Sequence, residues 1–186
     1  MDESIITNKD ISLSSEFPIK IDKFNFKKKS FIKKHFHQFC EMTITTGGNA
    51  VHYTNSGSNA ISAGNVYIIG SNEYHAIEVP KNWTLYNIYF LKELLENELF
   101  EKIKSPELLN FYIKNFIISE KTFEIKLNKK SAGFIESLLE TCGSIPAEKL
   151  SGKFLILKNM FINMLIIISE NYFTQNKLVM IADDKN

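Results

Sequence analysis

His35-Phe36-His37-Gln38-Phe39-Cys40-Glu41, continued by Met42-Thr43-Ile44-Thr45-Thr46-Gly47-Gly48, is the stretch on which the reading of the whole chain turns. Met42 and Ile44 alternate with Glu41, Thr43 and Thr45, the period of two that marks a strand. Residues two apart on a strand share a face, so His35, His37, Glu41, Thr43 and Thr45 point to one side. Cys40 has the opposite parity and reads as a packed thiol. Two imidazoles and a carboxylate thus converge on one interior. His75, beyond the turn Gly70-Ser71-Asn72 that ends an apolar strand, adds a third imidazole. Such a set suits zinc, nickel, iron, manganese or copper, with positions left for water or a ligand.

Working outward, residues 17–90 are β in character throughout. Ile19, Ile21, Phe24 and Phe26 approximate alternation, and Gly47-Gly48, Asn55-Ser56-Gly57 and Ala63-Gly64-Asn65 supply turn chemistry at short intervals. Many short strands with regular turns predict a sandwich or barrel. Residues 1–16 are polar and Ser-rich and read as a flexible N-terminal arm.

After Phe90 the period changes. Leu91, Leu94, Leu95 and Leu99 suggest a helix, Ser105-Pro106-Glu107 a further helix start, and residues 117–127 a short strand segment. Residues 128–142 predict an amphipathic helix with Phe134, Ile135, Leu138, Leu139 and Cys142 on one face, stopped by Gly143. A longer helix is expected over 146–172. On it Leu150, Phe154, Leu157, Phe161, Met164 and Ile168 fall at intervals of 4, 3, 4, 3 and 4, a seven-residue seam. Leu155, Ile162, Leu165 and Ile166 form a second apolar stripe. A helix with two apolar faces predicts packing on its own domain through one and on a second copy through the other, and the seam is the expected dimer contact; burial of both faces inside the chain is the alternative. The expected organisation is therefore an arm over 1–16, a barrel over 17–90 and a helical extension over 91–186.

Composition narrows the function classes. The chain has 186 residues and a net charge of +1, enough for a sizeable core without staples. Its two cysteines cannot build a disulfide framework, and no charged-then-apolar leader precedes Asp10, which favours a cytoplasmic setting. The most apolar run, residues 154–168, falls short of the roughly 20 residues of a membrane span and contains Lys158, Asn159 and Asn163, so no membrane is expected. All 22 basic residues are lysine, so the guanidinium fork that reads guanine edges is missing. The cluster Lys27-Lys28-Lys29 with Lys33-Lys34 reads as a solvated loop, and this chain as a poor nucleic-acid reader by itself.

His35, His37, Glu41 and, after six intervening residues, Gly48 together resemble the first cupin motif; Gly64, Gly70-Ser71-Asn72 and His75 resemble the second. Gly70 and Asn72 stand where that pattern has proline and glycine, and Val79 where it has a late asparagine. The run from His35 to Leu85-Tyr86-Asn87-Ile88-Tyr89-Phe90 is similar to the N-terminal effector domain of AraC-type transcription regulators, most closely the rhamnose- and chitobiose-operon branch. The resemblance implies a mainly β fold, a cupin (double-stranded β-helix, jelly-roll) barrel followed by C-terminal helices. It implies a small-molecule effector, sugar-like, bound by His35, His37, Glu41, Thr43, Thr45 and His75, a homodimer, and DNA contacted only through a separate helix-turn-helix domain not present in these residues. His35, His37, Glu41 and His75 occupy the metal-ligand positions of the motif, and stand either as a metal set or as a hydrogen-bonded polar lining. Trp83, Tyr86 and Tyr89 are candidates to stack on a sugar. His52, outside both motifs, reads as a surface strand residue. The rival reading is a stand-alone metal-dependent cupin enzyme, a dioxygenase or sugar isomerase.

Overall fold

A computed structural model describes residues 4–71, 73–95, 111, 122–144 and 152–176. Nine strands are assigned among them: β1 (Ser4–Ile6), β2 (Ile19–Phe26), β3 (Ser30–His37), β4 (Cys40–Thr54), β5 (Gly57–Ser62), β6 (Asn65–Ile69), β7 (His75–Val79), β8 (Trp83–Phe90) and β9 (Phe123–Lys126). Two long helices follow, α1 (Lys129–Ser144) and α2 (Lys153–Gln175). This is the expected cupin barrel with C-terminal helices.

β4 is the element that makes the barrel. Its first half lies between β8 and β6, in a sheet of order β2-β8-β4-β6-β9, and its second half lies between β7 and β5, in a sheet of order β1-β3-β7-β4-β5. The strand crosses over at Gly47-Gly48, where the register against β8 shifts between Thr45 and Gly47. Gly48 has φ +71°, and a Cβ there would collide with the Asn82 carbonyl, so the turn tolerates no side chain. The shift reverses parity: Glu41, Thr43 and Thr45 face the barrel before it, Ala50 and His52 after it.

The first sheet is apolar on its outer face and mixed on its inner face, where Glu41, Thr43, Thr45 and Asn87 stand beside apolar residues. Met42, Ile44, Tyr86, Ile88 and Phe90 point away from the barrel and pack under the helices, while Trp83 and Leu85 point inward with Tyr67, Ile69, Ile77 and Val79. The helices supply Ile135, Leu139, Phe161, Met164, Leu165, Ile168 and Phe173 to the outer core.

Several expectations about the helical half need correction. Phe161, Met164 and Ile168 of the predicted dimer seam are fully buried in the chain's own core, and Phe154 and Leu157 are packed against it, so the seam is intramolecular. The barrel's outer face needed an apolar cover, and this stripe provides it. What points outward is part of the second stripe, with Leu155 53% and Ile166 42% exposed. Leu150 lies outside the described residues, as do Ser105-Pro106-Glu107 and most of 91–122. Phe134 is exposed, because α1 buries the row Ile135, Leu139 and Cys142, with Leu138 at its edge. α2, at 23 residues, is long and apolar enough to cross a membrane by length and composition, a test that core helices also pass. Its inner face lies against the barrel sheet.

The two helices are tied by Asn171 on α2. Its amide oxygen accepts from the Asn128 backbone N–H (3.1 Å) and side chain (2.8 Å), and its amide nitrogen donates to Ser131 Oγ (2.9 Å) and to the Ile167 carbonyl (2.8 Å). Asn128 in turn caps α1 by accepting from the Ser131 N–H at 2.9 Å.

The arm is laid down on the barrel. β1 pairs in parallel with β3, Asp10 closes the following turn by accepting from Thr7 N–H and hydroxyl (both 2.8 Å), and Leu13 is buried with Phe39 and Tyr89. The apolar residues within its polar stretch, Ile6, Ile11 and Leu13, carry out the docking.

Candidate functional site

The barrel holds a pocket of about 160 Å³. Most of its wall is apolar, from Phe24, Phe26, Ile32, Phe39, Ile77, Trp83 and Leu85, with Ile6 and Ile11 of the arm closing one side. The polar groups on the wall are His35, Glu41, His75, Asn87 and Tyr89. Three of the six residues predicted to contact the effector therefore line the cavity. His37, Thr43 and Thr45 are buried but do not line it. Thr45 accepts the Trp83 indole N–H at 3.1 Å and so holds that ring against the cavity.

The strand geometry brings His37, Glu41 and His75 together: one ligand atom from each lies within 4.8 Å of the others. Glu41 and His75 come from β4 and β7, and His37 is delivered by a β3 that shifts register between Ile32 and His35. His35 does not join this trio. Its ring packs 4.3 Å from that of His75, and its Nδ1 is bonded to the Lys33 carbonyl at 2.8 Å.

His52, expected on the surface, is buried in the site. Its ring stacks on Tyr67 at 4.2 Å, and its Nε2 lies 3.3 Å from His75 Nδ1. The parity reversal at Gly47-Gly48 turns it inward, and that glycine pair is the only trace of it in the sequence.

Burial dominates the electrostatics. It pushes Glu41 up to about 7, opposed by the hydroxyl of Thr43 at 3.2 Å, and pulls His37 and His52 each down to about 4. His75 is also held well below the usual imidazole range by burial and by the neighbouring histidines. The imidazoles are thus neutral at pH 7, the state in which they offer lone pairs. His37 Nε2, His75 Nε2 and Tyr67 Oη are buried without hydrogen-bond partners. Orphaned nitrogens beside a buried carboxylate fit a divalent cation, which would act there as a Lewis acid. Cys40 behaves as expected, a buried thiol raised to about 11 by desolvation. Trp83 and Tyr89 reach the cavity, whereas Tyr86 faces the helices.

Comparison with known proteins agrees with this geometry. Residues 24–110 match the family described as AraC-like ligand binding domain. The HTH-type transcriptional activator RhaR of Yersinia pseudotuberculosis is 29% identical over 103 residues, 55% of this chain and 35% of that protein. RhaR of Cronobacter sakazakii is 29% identical over 63 residues, 34% of this chain and 22% of that protein. The matched stretch therefore spans about a third or less of these relatives. Among solved structures, ToxT from Vibrio cholerae superposes with a TM-score of 0.55 at 11% identity, covering 91% of this chain and 61% of ToxT. Wild-type ToxT bound to an unsaturated fatty acid gives 0.57 at 13% identity, covering 90% and 58%. These similarities in structure are similarities of fold. Residues 24–110 are thus similar to the AraC-like ligand binding domain, and the barrel, the cavity and the flanking helices agree with that similarity.

Proposed function

We propose that this chain is the sensing part of a transcription regulator, that its effector is a small molecule held in the barrel cavity, and that the response reaches DNA through a separate helix-turn-helix domain. The observation that carries the reading is the pocket itself: of about 160 Å³, mostly apolar, with polar groups gathered at His35, Glu41, His75 and Asn87. The faces of Trp83 and Tyr89 beside those groups suit a sugar-like ring, with C–H faces against the aromatics and hydroxyls toward the polar side. Ile6 and Ile11 form part of the wall, so an effector that fits the arm-closed barrel better than the open one shifts the arm, and the arm's β1 carries the shift to β3. The same reading places the protein in the cytoplasm, with the DNA, and as a homodimer. The outward face of α2, with Leu155 and Ile166, is the surface left for pairing.

The sensing reading is preferred to a metal-dependent enzyme because the curated relatives matched are transcriptional activators. Trp83 is the single tryptophan of the chain and lines the cavity, so its fluorescence reports occupancy. Titration with a panel of monosaccharides, deoxysugars and small amphiphiles is expected to give one saturable change, abolished by Glu41→Ala. An effector that switches transcription by the full-length regulator yet leaves Trp83 emission unaltered at saturation would refute the site.

A further inference from the structure

We infer that the edge of β3 over residues 30–34 is a docking site for an acidic, extended segment of a partner protein, which joins the second sheet as an added strand and sets carboxylates against Lys29 and Lys33 and an apolar side chain against Phe31. The surface lies on the outside of the barrel, and the inference does not rest on the sensing role.

Strand order is the first observation. On one side β3 has β7, paired with it over Ser30–Ile32 and again at His35. On the other side it has β1, paired with it only at His35, Phe36 and His37. Over residues 30–34 no described strand flanks that second side. Successive residues of a strand direct their N–H and C=O groups to opposite sides, so part of the backbone here meets no partner strand. The same edge takes up β1 a few residues on, so its backbone already has the geometry that pairing requires.

The side chains along this edge select the partner. Ile32 lines the barrel pocket, so its neighbour Phe31 points outward, and it is 61% exposed. Lys29 and Lys33, two residues to either side, are both exposed. The register shift between Ile32 and His35 leaves Lys34 exposed as well, its ammonium over the Tyr74 ring at 4.4 Å. Pairing of Phe26 with Trp83 and of Ser30 with Val79 sets the turn that carries Lys27 and Lys28 beside the turn that carries Lys81. None of Lys27, Lys28, Lys29 and Lys33 forms an ion pair with a described residue. The carboxylate across from Phe31, that of Glu78, accepts from the Tyr53 hydroxyl at 3.0 Å.

Lysines also serve to keep an edge strand single, but an exposed phenyl ring between them works against that purpose. Directly opposed residues of paired strands share a face, so Lys29, Phe31 and Lys33 have a complement of period two: acidic, any residue, apolar, any residue, acidic. Duplex DNA matches this surface less well, since its phosphates would engage the lysines and leave both the strand edge and Phe31 unused.

The test is fluorescence anisotropy of a labelled peptide with the core Glu-Thr-Leu-Thr-Glu, titrated with the full chain. Saturable one-to-one binding is expected, at least about tenfold tighter than that of a peptide with lysine at both glutamate positions. Lys29→Glu combined with Lys33→Glu should reverse the preference, and Phe31→Ser should weaken binding about two- to fivefold. N-methylation at alternate amides separates strand addition from charge alone: methylation in one register should abolish binding and in the other leave it, and the bound peptide should slow amide exchange within residues 30–34. All three substituted side chains are exposed; were a variant to misfold by circular dichroism, the lysine and N-methyl peptides, which are tested on wild type, decide. No binding, equal binding of the acidic and lysine peptides, or equal binding of both N-methylated registers overturns the inference and leaves the lysines as guards of the edge. Tighter binding of mixed-sequence duplex DNA, lost in the double lysine variant, assigns the surface to nucleic acid and overturns it too. So does self-association of wild type that disappears in Phe31→Ser, which assigns the edge to a second copy.

Discussion

Phe161 of α2 meets Phe90 of β8 with ring centroids 4.8 Å apart, and both side chains are completely buried. This contact joins the helical half to the barrel and fixes which face of α2 is inside. Phe161→Ala is expected to destabilise the fold by about 3–5 kcal/mol, the range for a buried aromatic truncation. The loss should appear in urea unfolding as a lower midpoint, with the mutant unfolding and never yielding a folded monomer by light scattering.

The complementary variant is Leu155→Asp with Ile166→Asp. Both side chains are exposed on α2, so the monomer fold should hold to within about 0.5 kcal/mol per site. If the outward face pairs two copies, light scattering at tens of micromolar shows a dimer for wild type and a monomer for this variant. A variant that stays dimeric places the interface elsewhere.

The contrast between these faces shows what was legible in the sequence. The β period of residues 17–90 and the inert packing of Cys40 were readable because strand parity is local, whereas His37, Glu41 and His75 stand on three separate strands and their convergence was legible only through the motif spacing. The assignment of α2's faces was not, because the seam and the stripe are both apolar and only the far side of the barrel sheet selects between them. A signal was present in Tyr86, Ile88 and Phe90, which alternate with Trp83 and Leu85 in being apolar, so that β8 needed cover on both faces. His52 escaped for a related reason: one register shift at Thr45/Gly47 inverts every later parity on β4. The docking of the arm depends on long-range contacts of Ile6, Ile11 and Leu13 that a Ser-rich segment does not advertise.

Gly48 has two requirements that glycine alone meets, φ +71° and no room for a Cβ, which would run into the Asn82 carbonyl, whose oxygen also accepts from Asn49 N–H at 3.1 Å. Gly48→Ala is expected to cost at least about 2 kcal/mol in thermal or denaturant unfolding, because backbone strain and a clash with backbone add together. Gly57→Ala is the control: its φ is also positive, at 131°, but a Cβ meets nothing within 4 Å. It should cost less than Gly48→Ala.

Asn171 is buried and uses both ends of its amide on α1 and on its own helix. Asn171→Leu keeps the volume and leaves the Asn128 N–H and side chain without their acceptor. A loss of about 2–3 kcal/mol is expected, with amide exchange accelerated at the first turn of α1 more than in the barrel strands. Uniform acceleration across both would show that Asn171 is a packing residue and not a link to the α1 cap.

The buried histidines set the acid limit of the metal-free protein. A histidine whose folded pKa lies below its unfolded value of 6.5 refuses a proton that the unfolded chain accepts, so stability is complete above about pH 6.5 and declines as pH falls toward 4. For His37 and His52 the drop to about 4 corresponds to at most about 3 kcal/mol each. Glu41 acts with the opposite sign: raised to about 7, it favours the folded state as pH falls from 7 toward 4.5, offsetting about one histidine. Urea midpoints measured from pH 7 to pH 4 should therefore fall, by less in His52→Phe and more steeply in Glu41→Gln. A midpoint flat across this window in wild type would mean that the histidines are open to water, and a shallower fall in Glu41→Gln would mean that Glu41 is already ionised when the chain is folded.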